Sequence, residues 1–274
     1  MKNLIYLLMM ALGATMFTAC SDDDDKDVDE GITDVTILPK KIKKVLYYEY
    51  DEDDRLEYSS EQEFDYDADG RIISCKQGDE IAKYTYSENK ITIKMDKYDE
   101  EYNFIVENGR IASSQYIDRD GVENRTFKYD GNYLNKVNAT HKEDGEVYSW
   151  TETLSFSNGN LSKYEYNDDD DWENAVFTYG NQLNNLNIDL YYIIDYFESD
   201  IAKVFQFNMT GKRSKYLPSS MKFSFPEWDE DEEKIIGTET DTVNFTYEMD
   251  GEYITKITAK RADGYAEIYE IEYE

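Results

Sequence analysis

The sequence predicts a mainly β protein, a large antiparallel meander curling into a half-barrel or barrel, with one amphipathic helix packed against it. Three observations predict it. Aromatic–X–aromatic phrases recur along the chain, Asn-Gly and Asp-Gly pairs punctuate it, and the runs between those pairs alternate with period two.

The phrases are Tyr48-Glu49-Tyr50-Asp51, Phe64-Asp65-Tyr66-Asp67, Tyr84-Thr85-Tyr86-Ser87, Phe127-Lys128-Tyr129-Asp130, Leu154-Ser155-Phe156-Ser157, Phe177-Thr178-Tyr179-Gly180 and Phe245-Thr246-Tyr247-Glu248, with Phe104-Ile105-Val106-Glu107 as a weaker copy. Their last aromatic or apolar positions, from 50 to 179, are 16 to 27 residues apart, the length of one hairpin and its return. The turns agree with that spacing. Asp69-Gly70, Asn108-Gly109, Asp120-Gly121, Asp130-Gly131, Asp144-Gly145, Asn158-Gly159, Asp250-Gly251 and Asp263-Gly264 pair residues that tolerate positive φ. Tight hairpin turns matching strand twist require that tolerance.

The intervening runs put apolar residues on one face only. Ile91, Ile93 and Met95 share a face, and Ile254–Ala259 and Ile268–Tyr273 also read as strands. Alternation, rather than a continuous apolar run, marks antiparallel sheet with one wet face, and roughly sixteen strands result. One stretch breaks the period. Leu190, Ile193, Ile194, Phe197, Ile201, Val204 and Phe205 follow helical spacing, predicting a helix over about 188–206 capped by Asn187 or Asp189. No composition shift divides the rest, so residues 34–274 form a single domain.

The first residues belong to export. Lys2 precedes the apolar run Leu4–Ala14, which is too short to cross a bilayer, and small residues lead to Cys20. Phe17-Thr18-Ala19-Cys20 resembles the lipobox of bacterial lipoproteins, with Phe17 in place of the usual leucine. The resemblance implies a signal peptide over 1–19 and lipidation of Cys20; an ordinary signal peptide is the alternative. Several acyl chains hold a protein at a membrane without a transmembrane span. Residues 20–33 then carry the lipidated cysteine and an acidic, disordered tether, Ser21-Asp22-Asp23-Asp24-Asp25-Lys26-Asp27-Val28-Asp29-Glu30. That run resembles the acidic export signal of surface lipoproteins in Bacteroidetes-type bacteria. It implies an outer membrane location facing the cell exterior, the periplasmic face being the alternative.

Of 29 basic and 61 acidic residues, removal of residues 1–19 takes one lysine and no acid, leaving a net charge of −33. Such a chain repels nucleic acid and anionic headgroups. With Cys20 lipidated, Cys75 has no partner for an intrachain disulfide.

Phe64-Asp65-Tyr66-Asp67-Ala68-Asp69-Gly70-Arg71-Ile72 resembles the tyrosine–aspartate (YD/RHS-like) repeats of large secreted shell-forming toxins. The lipobox with its acidic tether, the Tyr-rich meander and the helix followed by Gly211-Lys212-Arg213-Ser214-Lys215-Tyr216-Leu217-Pro218-Ser219-Ser220 together are similar to the DUF4595 family of uncharacterised, porin-like bacterial lipoproteins. That resemblance implies a barrel or half-barrel and carries no activity. It implies no pore, because the strands lack a lipid-facing apolar band with aromatic girdles.

Candidate chemistry is sparse. Asp65, Asp67 and Asp69 have the spacing that opens a calcium loop, but Lys76 stands where the closing bidentate acid belongs. A hairpin turn capped by its own aspartates explains the same residues. Calcium is thus the only cofactor suggested, and weakly. His141 is the only histidine, so no His/Cys metal set or Ser/His/Asp arrangement is available, and the chain reads as non-enzymatic. The best lead is aromatic. Trp150, Trp172 and Trp228 lie near acidic loops, where rings with polar edges stack on sugars or anchor partners. Asp241-Thr242-Val243 resembles an O-glycosylation motif of Bacteroidetes-type secreted proteins, at Thr242.

The expected function is a cell-surface binding module for a glycan or another surface polymer. A structural or accessory part in a surface protein complex is the alternative, and a carboxylate-based hydrolase a minor one. Expected partners are the membrane, through the lipid, and a glycan or surface protein.

Overall fold

A computed structural model describes residues 40–168, 171–185, 209–229 and 234–274. The expected signal peptide over 1–19, Cys20, the expected acidic tether and the helix expected over about 188–206 lie outside the described residues.

The described chain is a closed antiparallel barrel of sixteen strands in simple meander order, with the first strand paired to the last. The strands are β1 (Ile42–Tyr50), β2 (Leu56–Tyr66), β3 (Ile72–Gln77), β4 (Glu80–Tyr86), β5 (Lys90–Met95), β6 (Glu101–Glu107), β7 (Arg110–Ile117) and β8 (Gly121–Asp130). They continue as β9 (Tyr133–Glu143), β10 (Glu146–Ser157), β11 (Asn160–Asn167), β12 (Trp172–Leu183), β13 (Tyr216–Asp229), β14 (Lys234–Asp250), β15 (Tyr253–Arg261) and β16 (Ala266–Tyr273). Closure removes the sheet edges that an open meander of this size would expose.

Three of the eight pairs adopt the predicted turn fully, four place only their glycine at positive φ, and Gly121 of Asp120-Gly121 opens a strand instead. Asn108-Gly109, Asp144-Gly145 and Asn158-Gly159 each place both residues at positive φ, between 50° and 93°. That is the primed turn whose twist matches two-residue hairpins.

Alternation sorts the wall into two faces. Val45, Tyr84, Ile93, Phe127, Leu154 and Phe177 point inward and are buried, part of one continuous apolar cluster. Their neighbours in sequence, such as Lys44, Thr85, Lys94, Thr126, Thr153 and Thr178, point outward. Cys75 is buried on the inner side, its Sγ 3.8 Å from Gln62 Oε1. The polar face is the convex one, the reverse of a barrel that spans a bilayer.

The recurring phrase has a physical basis at one rim. Six of the eight even-numbered strands end there in a tyrosine whose hydroxyl donates to the carbonyl at the start of the preceding strand. Tyr66 bonds Ile42 O (2.7 Å), Tyr86 Ile72 O (2.8 Å), Tyr129 Ile111 O (2.8 Å), Tyr179 Leu161 O (2.6 Å), Tyr247 Pro218 O (2.7 Å) and Tyr273 Ile254 O (2.6 Å). Burial raises the pKa of every one of these phenols, that of Tyr129 to about 12, so they stay protonated donors. Tyr48-Glu49-Tyr50-Asp51 falls on the opposite rim and is a sequence echo without this bond.

The rest of the phrase shapes the turn. Asp67 Oδ1 accepts from the N–H groups of Asp69 and Arg71, and its Oδ2 from Arg71 Nε at 2.7 Å. The Arg71 guanidinium lies 4.8 Å over the Tyr86 ring of the next copy, linking successive hairpins. Replacement of Tyr66 by phenylalanine leaves the Ile42 carbonyl without its donor, and is expected to cost about 1 kcal/mol, read from the urea midpoint. The sites at Tyr66, Tyr129 and Tyr247 lie on separate strand pairs, so their losses should add.

The same rim is crossed by the segment leading into β13. Met209 O accepts from Ile111 N, Lys212 N donates to Asn132 O, Lys215 N donates to Gly159 O, and Ser214 Oγ accepts from Leu161 N. Gly211 has φ +94°, and a Cβ there would lie 2.6 Å from Asn132 O, so the close crossing demands glycine. Arg213 is buried beside Leu134, Leu154, Phe156 and Leu161, and donates to Thr210 Oγ1. Desolvation lowers its pKa to about 9. Phe156 and Val106, the copies without a hydroxyl, belong to strands ending at this crossed side.

Candidate functional site

The inner wall changes character toward the other rim. Apolar side chains give way to carboxylates, two arginines and aromatic rings, in three groups.

The first lies at the closure seam. Glu49 of β1 and Glu267 of β16 are register partners, and so are Tyr47 and Tyr269, whose ring centroids are 5.2 Å apart. Tyr269 donates to Glu267 Oε2 at 2.8 Å, and the Tyr265 hydroxyl donates to Glu49 Oε1. Burial raises the pKa of Glu267 to about 8, with Glu49 adding to the rise and the Tyr269 and Tyr47 hydroxyls opposing it. Glu267 is therefore a neutral acid at pH 7, and this explains how two carboxyls stand side by side in the wall.

The second group stands across the ring, on β8 to β10. Arg125 Nε donates to Glu123 Oε1 at 2.7 Å and its Nη1 to Glu152 Oε1 at 3.1 Å. Trp150 Nε1 donates to the same Glu152 oxygen at 3.1 Å, and the guanidinium lies 5.5 Å over the indole. Arg125 and Glu152 side chains are 4% and 2% exposed. His141 is the register partner of both Glu123 and Tyr148 and is partly exposed, with Nε2 3.6 Å from Glu143 Oε2.

The third group bridges β13 to β15. Arg261 lies 3.7 Å from Asp241 Oδ2 and covers the rings of Tyr265 (5.0 Å) and Phe223 (5.7 Å). Phe223 stacks with Phe225 at 5.7 Å.

Of the residues singled out from sequence, the structure places Trp150 in this wall and separates it from the other two tryptophans. Trp172 opens β12 on the outward face, since Ala175, three pairs along and therefore on the opposite face, points in. Trp228 is 46% exposed near the end of β13. Asp65, Asp67 and Asp69 do not converge. Asp65 accepts from Ser74 Oγ at 2.6 Å, Asp67 caps its turn, and Asp69 lies 3.4 Å from Arg71. Among the described residues no group of three or more His, Cys, Asp or Glu side chains is gathered as for a metal ion. Thr242 lies on the outward face of β14, its N–H bonded to Asp241 Oδ1.

Tyr265, Tyr269, Glu267 and Arg125 escaped the sequence reading, although a signal was present. Glu267 is in phase with Tyr269 and Ile271, Arg125 with Phe127, and Glu152 with Leu154. A charged residue in phase with the apolar face marks a polar patch in the lumen.

Solved structures share this fold. A porin-like protein from Bacteroides vulgatus superposes with a TM-score of 0.63 at 19% identity, over 85% of this chain and 98% of the other. A porin-like protein from Bacteroides uniformis gives 0.64 at 18%, over 86% and 99%. No family model and no curated protein matches the chain.

Proposed function

We propose that the chain is a non-enzymatic binding module of the cell surface, tethered to the outer membrane by lipid on Cys20 and facing the cell exterior. Its ligand is a glycan or a comparable polyhydroxylated surface polymer, taken at the polar rim of the barrel. The observation that carries this reading is the aromatic and charged inner wall: Trp150, Tyr265 and Phe223 offer ring faces, each beside an arginine–carboxylate pair. Rings for stacking and fixed polar groups for hydroxyls form the usual composition of a site for small polar ligands. The polar convex face supports the tether. A barrel with Lys, Thr and Glu outside stands in water and needs a separate anchor. The DUF4595 resemblance belongs to the same proposal, with the barrel as its common ground with porin-like proteins.

The test uses the lipid-bearing protein on intact cells and on a glycan array. Cys20→Ala should release it from the membrane fraction. Trp150→Ala should weaken glycan retention at least tenfold, and Trp172→Ala less. Broad arrays showing no retention would remove the glycan reading. The carboxylate pair favours a second reading, a hydrolase using Glu49 and Glu267. Cleavage of aryl glycosides by the wild type and not by Glu267→Gln would establish it. The 4% exposure of Glu267 favours binding over that chemistry.

A further inference from the structure

The two longest strands leave the barrel. The last register pair between β12 and β13 toward the polar rim is Asn174–Ser224, and the last between β14 and β15 is Val243–Arg261. Beyond them β13 and β14 continue together, from the pair Phe225–Glu239 to Asp229–Lys234. The outer part of this ribbon is exposed, while Pro226 is buried and Phe225, Glu227 and Gly237 are half-buried. Ile235, Ile236, Thr238, Glu239 and Thr240 are all exposed, and so is Trp228, the register partner of Ile235.

Its two edges differ. On the β13 side Pro226 has no N–H to offer an incoming strand. On the β14 side Gly237–Thr242 contains no proline. The N–H of Thr242 donates to Asp241 Oδ1, one residue past the last pair with β15, and Thr238 is the register partner of Pro226, which has no N–H to give it. Alternation then sends the N–H and C=O of Thr240 and Thr238 toward the same side. Glu239 lies exposed along this edge, with Glu227 packed over Gly237, while Asp241 beside it already faces Arg261 at 3.7 Å. A second copy would bring a matching acidic edge against it, from a chain of formal charge −32. A basic strand meets complementary charge.

We propose that the Gly237–Thr242 edge of β14 docks an extended basic segment of another protein as an added strand, with Trp228 and Ile235 as its apolar anchor. Main-chain bonds supply affinity in this mode, and the alternate side chains supply selection.

The test titrates full-length protein in detergent with an eight-residue peptide alternating lysine and valine. Controls are its glutamate–valine counterpart and a lysine–valine peptide methylated on every backbone amide. The lysine peptide should bind saturably and both controls at least tenfold more weakly. Thr240→Pro, which removes one edge donor, and Trp228→Ala should each weaken binding at least fivefold. Glu239→Lys, at an exposed position that leaves the fold intact, should do the same. Equal binding of the methylated peptide would overturn the proposal in favour of charge alone, and no binding of the lysine peptide to folded protein would overturn it outright.

Discussion

Replacement of Glu267 by glutamine is expected to make the barrel more stable than the wild type above pH 8 and nearly equal to it at about pH 5. The carboxyl is held at about 8 in the folded chain, well above the ordinary glutamate value, because it is buried beside Glu49. A carboxyl raised on folding binds its proton more tightly in the native state than in the unfolded chain. Its contribution is therefore complete below the unfolded value and is lost as pH rises from there through the folded one. Each unit of difference is worth about 1.4 kcal/mol, so several kcal/mol are at stake between those limits. Glutamine keeps an acceptor for Tyr269 and cannot ionise. Urea midpoints measured at intervals across this range should converge at the acid end and separate at the alkaline end. Parallel curves would show that the seam does not hold a neutral acid.

The second large effect concerns the opposite wall. Arg125→Met should cost about 3–5 kcal/mol, the usual result of leaving a buried carboxylate without its cation. Glu152 and Glu123 would then share the wall with no guanidinium between them, and Trp150 would lose the cation over its ring. Adding Glu123→Gln and Glu152→Gln to Arg125→Met should recover much of the loss, since the unpaired charge, rather than the missing contact, is the source of the cost. A single variant within about 1 kcal/mol of wild type would mean that water reaches this triad freely.

Much of the barrel was legible because its determinants are local. Asn108-Gly109, Asp144-Gly145 and Asn158-Gly159 form tight turns with both residues at positive φ, a conformation these residue types tolerate at little cost. Period-two runs such as Ile91–Met95 assign their own faces. The Tyr66–Ile72 phrase was legible as a repeat but not as a device. Its tyrosine reaches a carbonyl 24 residues away, on a strand whose neighbour status the phrase does not encode.

The candidate site was far less legible. Trp150, Trp172 and Trp228 look alike beside acidic loops, yet one faces the lumen, one the convex surface and one the solvent around a projecting ribbon. Strand register decides that, and a shift of one residue reverses every face.

By itself the sequence determined the antiparallel meander, the turn positions, the strand count and an alternation that puts polar residues on one face. These depend on neighbours a few residues apart. Only the tertiary structure decided that β1 meets β16, that Glu49 and Glu267 share the seam so formed, that Arg125 lies between two carboxylates, and that β13 and β14 outrun their neighbours. Each of those depends on side chains or strand ends brought together from far along the chain, and chain closure, not local propensity, sets which ones meet.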